Sequence, residues 1–349
     1  MNKSNTLSQQ ASRYIRLVTL AAITTVSSNY AIAQKVEHSA PAGNGIYEAV
    51  ISNVDGHIYV TGAGNRTNPG GALYKINPSN LSIVDSISLK ENPPFGIGIN
   101  QKTQLAYTSN TRTSSVSVID LKTGKLVTTI TNGEEKSHTR EVLVDEDNNM
   151  IYITDVGKPG NIWVIDGNTN TYSHSIPNTG QTTTGLTFAG SKDIIYVTNM
   201  GDNTIGVIDV NKRELIKSFP SGGESPVNIT SDGEHLFVTN QKSGTLTILD
   251  KEGKLLKSIE TGDGAIGIAY DPVENRLYSA NRQTGTTTVL DAKTYEILAD
   301  LPTGSHPNHV KVNPETGEAY VLNKAKGGRP VEGEPVKVDT NGDTITKIN

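Results

Sequence analysis

The chain has 349 residues, of which 34% are hydrophobic and 5% aromatic, with 34 glycines, 15 prolines and a net charge of −5. Few aromatic residues and abundant glycine and proline are typical of many short strands joined by tight turns. The absence of cysteine excludes disulfides, thiolate metal sites and covalently attached c-type haem, and the acidic balance argues against nucleic-acid binding through bulk charge.

Residues 1–33 differ in composition from the rest of the chain. Three basic residues, the last of them Arg16, precede an apolar run at 17–26, and Ala31-Ile32-Ala33 has the small residues of a cleavage site. We expect a signal peptide cleaved after Ala33 and a periplasmic mature protein; the alternative is the hydrophobic start of a core helix. The run is shorter than the ~20 residues that span a bilayer, so we expect no membrane insertion. Cleavage takes the net charge from −5 to −8, because residues 1–33 hold three positive charges and no negative one.

One short phrase, with an aromatic residue inside it, recurs along the rest of the chain. Its seven copies lie at 58–61, 105–108, 151–154, 195–198, 236–239, 277–280 and 319–322. Their aromatic residues are 41 to 48 residues apart, which is the length of one four-stranded propeller blade. A second phrase ending in Ile-Asp or Leu-Asp follows each of the middle five copies. The spacing predicts an all-β, seven-bladed β-propeller that forms a single domain over residues 34–349.

Each repeat predicts four strands: an inner strand A, the aromatic phrase as strand B, the Ile-Asp phrase as strand C, and an outer strand D after a polar turn. Strand A is expected at 46–52, 96–100, 141–145, 185–189, 227–230, 266–270 and 309–313. One such sheet cannot bury both of its faces alone, whereas seven sheets packed radially can.

Ring closure depends on the two ends of the propeller. Residues 35–40 resemble a D strand, and we expect them to complete the last blade and protect its edge. The last C strand is either 336–338 or 344–348. Residues 339–343 suggest a calcium loop but lack the full register and the distal glutamate, so a polar turn is predicted.

The two faces of the predicted disc differ in charge. Neighbouring strands are antiparallel, so the A-to-B turns lie on one face and the B-to-C and D-to-A loops on the other. The A-to-B turns carry eleven acids against three bases, whereas the B-to-C loops are rich in cations, with Asp202 as their one acid up to residue 330. The D-to-A loops add His138, Arg140 and His306, diluted by four acids. Such a rim can attract a polyanion despite the net charge; loop cations that only keep the protein soluble are the alternative.

Two aromatic residues near that face are candidates for stacking on bases. Trp163, the only tryptophan, takes a position where the other repeats carry serine, glycine or threonine. It either packs between blades or stacks on bases near Lys158. Phe95 is a second candidate for stacking.

Catalytic signatures are missing from the sequence. It contains no G-x-S-x-G elbow, no H-E-x-x-H, no P-loop and no paired-histidine spacing. His306 and His309 are expected to serve a turn or cap and not a metal. We therefore expect no enzyme activity, no cofactor and no metal; a propeller enzyme such as a lactonase rests on fold analogy alone.

Tyr196-Val197-Thr198-Asn199 resembles the YVTN-repeat propellers, and the arrangement is similar to that of the periplasmic YncE-like proteins. The resemblance covers essentially the whole mature chain and rests also on residues 45–48, 94–96, 140–141, 161–166, 178–180, 184–186 and 306–308. It implies a monomeric, seven-bladed periplasmic propeller without known catalytic activity that tends to bind DNA, notably single-stranded DNA.

The combined prediction is a binding propeller that takes single-stranded DNA on its cationic loop face. The candidate site residues are Arg66, Arg112, Lys158, Trp163, Lys242, Arg282, Lys324 and Lys326. The alternative is a scaffold for envelope proteins, whose binding would show little dependence on salt.

The signal-peptide hypothesis predicts a mature protein that begins at Gln34. We expect the intact mass of the exported protein to match residues 34–349, and we expect Ala33→Phe to slow processing because the cleavage site accepts only small residues. An exported protein that keeps residues 1–33 would contradict this.

Overall fold

The computed structural model describes residues 34–65, 68–134, 136–327 and 338–349. These residues form 28 strands in seven four-stranded antiparallel sheets. Among them, no helix is long and apolar enough to cross a membrane. The predicted seven-bladed, all-β propeller is confirmed.

The strands follow one another in the predicted order A, B, C, D. After β1 (Val36–Pro41), blade one contains β2 (Ile46–Ile51), β3 (Ile58–Gly64), β4 (Pro69–Ile76) and β5 (Ile83–Ser88). Blade two contains β6 (Ile97–Asn100), β7 (Leu105–Asn110), β8 (Ser115–Asp120) and β9 (Lys125–Ile130), and blade three β10 (Thr139–Asp145), β11 (Met150–Asp155), β12 (Asn161–Asp166) and β13 (Thr171–Ile176). Blade four contains β14 (Thr183–Ala189), β15 (Ser191–Asn199), β16 (Thr204–Asp209) and β17 (Glu214–Pro220), and blade five β18 (Pro226–Ser231), β19 (His235–Asn240), β20 (Thr245–Asp250) and β21 (Leu255–Glu260). Blade six contains β22 (Ala265–Asp271), β23 (Arg276–Asn281), β24 (Thr286–Asp291) and β25 (Ile297–Pro302), and blade seven β26 (His306–Val312), β27 (Ala319–Lys324) and β28 (Thr344–Ile348).

The hydrophobic core lies between blades. Each of seven clusters of described residues joins two neighbouring sheets, as where Tyr107 and Val118 of blade two meet Ile153 and Trp163 of blade three. Strands B and C are therefore buried on both faces, which explains their continuous runs of β-branched and aromatic residues. The D strands face solvent on the rim.

A repeated hydroxyl group links neighbouring blades near the central axis. Near the end of five B strands, a Thr or Ser hydroxyl donates to a backbone carbonyl of the next blade, at or just before its A strand. These bonds are Thr61 to Phe95, Ser109 to Arg140, Thr154 to Thr184, Thr198 to Val227 and Thr239 to Ile266. Blade two uses Ser109, which is one residue after the Thr108 at the end of its repeated phrase.

The ring closes as predicted. β1 pairs antiparallel with β28 and completes blade seven, so the last C strand is Thr344–Ile348 and not 336–338, of which only residue 338 is described. Lys347 Nζ lies 2.6 Å from Glu318 and 3.2 Å from Glu37, and so ties the new edge strand to the sheet.

The loop at 339–343 caps this closure. The Asp343 carboxylate accepts the backbone N–H groups of Gly45 at 2.8 Å, Ile46 at 3.3 Å and Ala325 at 3.1 Å. Both ends of the domain therefore meet on one side chain.

Asp343→Ala should destabilise the fold by about 2 kcal/mol, because three backbone donors lose a charged acceptor. Thermal or urea unfolding of the mature protein measures the change. Asp263→Ala is the matched control, since its exposed carboxylate makes no hydrogen bond with the described residues, and it should stay within about 0.5 kcal/mol of wild type. Equal effects of the two changes would contradict the capping role.

Candidate functional site

A cavity of about 290 Å³ lies at the centre of the disc, on the side of the B-to-C loops. All seven blades contribute to its wall, so it is the mouth of the central channel. Most lining residues come from two repeated positions. At or just before the A strand these are Tyr47, Phe95, Arg140, Val227, Ile266 and Asn308, and at the end of strand B they are Thr111, Met200, Gln241 and Arg282.

Two arginines supply the positive charge of the cavity wall. Arg140 and Arg282 are half-buried, and neither guanidinium makes a hydrogen bond or an ion pair with any other residue that the structure describes. An arginine has five N–H donors in a fixed fork, so each of these groups is free to receive an oxyanion.

Two aromatic rings share the rim with further cations. The rings of Tyr47 and Phe95 meet edge to face, with centroids 4.6 Å apart. Arg112 Cζ lies 5.2 Å from the centroid of Phe95, and Lys324 Nζ lies 3.4 Å from that of Tyr47. Burial lowers the pKa of Lys324, and Arg282 lowers it further. The rim thus concentrates positive charge next to two half-buried rings.

Two histidines stand beside these cations. Burial and Arg140 lower the pKa of His138, and burial, Arg282 and Lys326 lower that of His306. Both imidazoles are therefore neutral at physiological pH, and the arginines and lysines carry the charge of the mouth.

The floor of the cavity holds a pair of glutamates. Glu48 is 5% exposed, accepts the N–H of Ile97 at 3.2 Å and is hydrogen-bonded to Glu141. Burial and the Glu141 charge raise the pKa of Glu48 well above its usual range, and burial also raises that of Glu141. Burial and the neighbouring carboxyl thus favour the protonated form of Glu48.

This floor belongs to a ring of equivalent A-strand positions. The ring is Glu48, Gly96, Glu141, Gly185, Asn228, Gly267 and His309, so glycine alternates with a polar residue. A Cβ at Gly96 would overlap the Arg140 carbonyl, and one at Gly185 would lie 2.8 Å from the Asn228 Cα. Glycine is required there because adjacent A strands approach so closely.

The predicted cations fall into three groups. Arg112, Arg282 and Lys324 meet at the channel mouth, while Lys158 and Lys326 are exposed on the same face. Lys242 is ion-paired with Glu224, at 2.5 Å between Nζ and Oε2. Arg66 lies outside the described residues.

The prediction that Trp163 stacks on bases is wrong. Its side chain is fully buried between blades two and three, against Tyr172, and its Nε1–H donates to Asp155 Oδ2 at 3.2 Å. Where other blades pair an asparagine with a threonine, as Asn240 with Thr247, blade three pairs an aspartate acceptor with the indole donor. Of the two roles considered, packing between blades is the one observed.

The list of candidates from the sequence omitted Tyr47, Glu48 and Arg140. They lie in A strands, which the sequence pattern marks only as strands but which line the channel of a propeller. Tyr47 and Arg140 share one A-strand position with Phe95, Val227 and Ile266, and Glu48 is one of two acids at the next position. Among the described residues, no three His, Asp or Glu side chains are placed to hold a metal ion.

Glu48→Gln should stabilise the protein increasingly as the pH rises. The folded-state pKa of Glu48 is raised, so its contribution is favourable while it is protonated and is lost as the pH passes upward through that pKa. Gln resembles the protonated form, and the Tm difference from wild type should grow between about pH 5 and pH 9. The exposed Glu134→Gln should show no such trend; a flat difference for Glu48→Gln would contradict the assignment.

Comparison with known proteins gives related sequences but no matching family model. The chain is 30% identical over 204 residues to "Uncharacterized protein YncE" of Escherichia coli (strain K12), a match that covers 56% of this chain and 55% of that protein. The protein of the same name from Salmonella typhi is 33% identical over the same shares. The chain thus spans about half the length of the curated relatives that it matches.

A solved structure of Kuenenia stuttgartiensis hydrazine synthase has a TM-score of 0.67 and 17% identity, covering 80% of this chain and 92% of that chain. At this identity the likeness shows the propeller fold alone. The chain is therefore a seven-bladed β-propeller that is similar in sequence to the YncE proteins over about half of their length.

Proposed function

We propose that this chain is a monomeric, non-catalytic periplasmic binding propeller that takes single-stranded DNA on its cationic loop face. One observation carries the proposal. The guanidinium groups of Arg140 and Arg282, which have no hydrogen-bond or ion-pair partner among the described residues, line the same cavity as the rings of Tyr47 and Phe95.

These groups match the two parts of a nucleotide. Guanidinium and ammonium groups bind phosphate oxygens through charge-assisted hydrogen bonds. Aromatic rings stack on bases without regard to sequence and contribute about 1–3 kcal/mol per base. The exposed Lys158 and Lys326 extend the positive rim away from the mouth, along the path of a bound strand.

Single-stranded DNA fits this arrangement better than a duplex. The rings of Tyr47 and Phe95 lie at the mouth of a cavity of about 290 Å³, which only an unstacked base can reach. The acids of the opposite face restrict binding to the loop face. Since the attraction is local and the net charge is negative, affinity should depend steeply on salt.

Fluorescence anisotropy of the mature protein with a labelled strand of about 20 nucleotides tests the proposal. We expect Arg112→Ala, Arg282→Ala and Lys324→Ala each to weaken binding about tenfold at low salt and to reduce the salt slope by about one. Phe95→Ala should weaken binding without changing the slope, because stacking releases no counterions.

Lys102→Ala is the matched control. It removes the same charge from the opposite face, where Lys102 is paired with Asp147 at 2.7 Å, and it should leave binding unchanged. Absence of binding by the wild-type protein at low salt would overturn the proposal. The protein would then be assigned to recognition of envelope proteins, and pull-downs would identify the partner.

A further inference from the structure

We propose that the axial cavity binds one phosphomonoester group between Arg140 and Arg282, above the Glu48 side chain. The source of the group is the terminal phosphate of a bound strand, and this part rests on the proposed nucleic-acid binding. The chemistry of the cavity does not rest on it, because a free phosphomonoester would use the same groups.

The size of the cavity favours the end of a strand. Its volume of about 290 Å³ is at the lower end of the range for small-molecule sites. An internal phosphodiester would have to enter and leave through the same mouth with a nucleotide on either side. A terminal group enters alone, while the rest of the strand lies on the rim.

The unpaired guanidinium groups favour a phosphomonoester over a diester. Arg140 and Arg282 lie in blades three and six, on nearly opposite sides of the cavity, and together offer ten N–H donors. A phosphomonoester has three free oxygens and a charge of about −1.5 to −2 at neutral pH, against a single charge for a diester. A terminal phosphate therefore offers the two guanidinium groups one more free oxygen and more negative charge than an internal diester does.

The floor is suited to an anion only if Glu48 carries no charge. Glu48 faces Glu141 and Arg140 of β10 and Lys311 of β26, and it lies in the same ring as His309. Burial lowers the pKa of His309 to about 3, so this imidazole is neutral. Arg140 and Lys311 lie near both glutamates without an ion pair to either, and burial disfavours the negative charge of each carboxyl, which makes the cluster more positive.

Two buried acceptors in this cluster have no partner. Glu141 Oε2 and His309 Nε2 are shielded from solvent without a hydrogen bond to any other described residue. Both are acceptors, so water molecules that enter with a bound phosphate can donate hydrogen bonds to them. The cluster is therefore built for a polar occupant and not for an apolar one.

The test compares strands of identical sequence that end in phosphate or in hydroxyl, at the 5′ end and at the 3′ end, with the dye at the other end. We expect one phosphorylated end to bind about tenfold more tightly than its hydroxyl counterpart. Arg140→Gln and Arg282→Gln should each abolish that preference while the hydroxyl strand still binds through the rim. Lys102→Ala should keep it. Equal affinity for phosphate and hydroxyl ends, or a preference that survives both arginine substitutions, would overturn the proposal.

Calorimetry with inorganic phosphate and a nucleoside monophosphate tests the cavity without a strand. If no strand binds but both small anions bind and Arg140→Gln or Arg282→Gln abolishes this, DNA binding fails and the phosphate site stands. If strands bind, but neither small anion binds and a phosphate end gives no gain in affinity, only the cavity proposal fails.

The role of Glu48 is tested separately, by the pH dependence of phosphate binding. Glu48→Gln should bind phosphate as tightly as wild type near pH 6 and at least about threefold more tightly near pH 9, where ionised Glu48 repels the anion. Weaker binding by Glu48→Gln at both pH values would contradict the role of a neutral floor. Retained thermal stability of each variant shows that the change in binding is local.

Discussion

The fold and the site depend on one hydrogen bond that is repeated from blade to blade. A buried Thr or Ser hydroxyl must be satisfied, and here it donates to a carbonyl of the next blade while accepting an N–H from the A strand of its own blade. The carbonyls that accept these bonds belong to Phe95, Arg140, Thr184, Val227 and Ile266. Four of those five residues line the cavity. The contact that spaces the blades thus also positions the wall of the site.

The last two interfaces of the ring lack this hydroxyl. Ala280 and Leu322 take its place, and Asn308 instead donates to the Tyr47 carbonyl at 3.5 Å. Closure relies on β1, on the Lys347 ion pairs and on Asp343. The aromatic residue Tyr47 and the acid Glu48 stand at the start of blade one, next to that closure. The integrity of the site is therefore coupled to the joining of the two chain ends.

The charges of the mouth differ from those elsewhere in the molecule. Lys102, Lys242 and Lys347 each face a carboxylate within 4 Å, whereas Arg140 and Arg282 have no such partner among the described residues and Lys324 is set against a ring. Glu48 is the one acid among the described residues of the cavity wall, and burial and the Glu141 charge raise its pKa well above the usual range. A chain with a net charge of −5 thereby presents a cationic site, because paired charges cancel and unpaired ones do not.

The repeat by itself determined the number of blades and the strand order A to D, because a pattern of period two within a repeat of about 44 residues leaves few other ways to bury both faces of each sheet. It predicted the closing β1 but left two segments open for the last C strand. It also placed Arg112, Arg282 and Lys324 on the loop face. Only the tertiary structure decided which side chains meet. Lys242 forms an ion pair with Glu224 of a neighbouring loop, and Trp163 donates a hydrogen bond to Asp155 inside its own sheet. Arg140 lines the cavity from a position that the sequence pattern marks only as strand. These contacts join residues from different strands and loops, and no local pattern in the sequence predicts them.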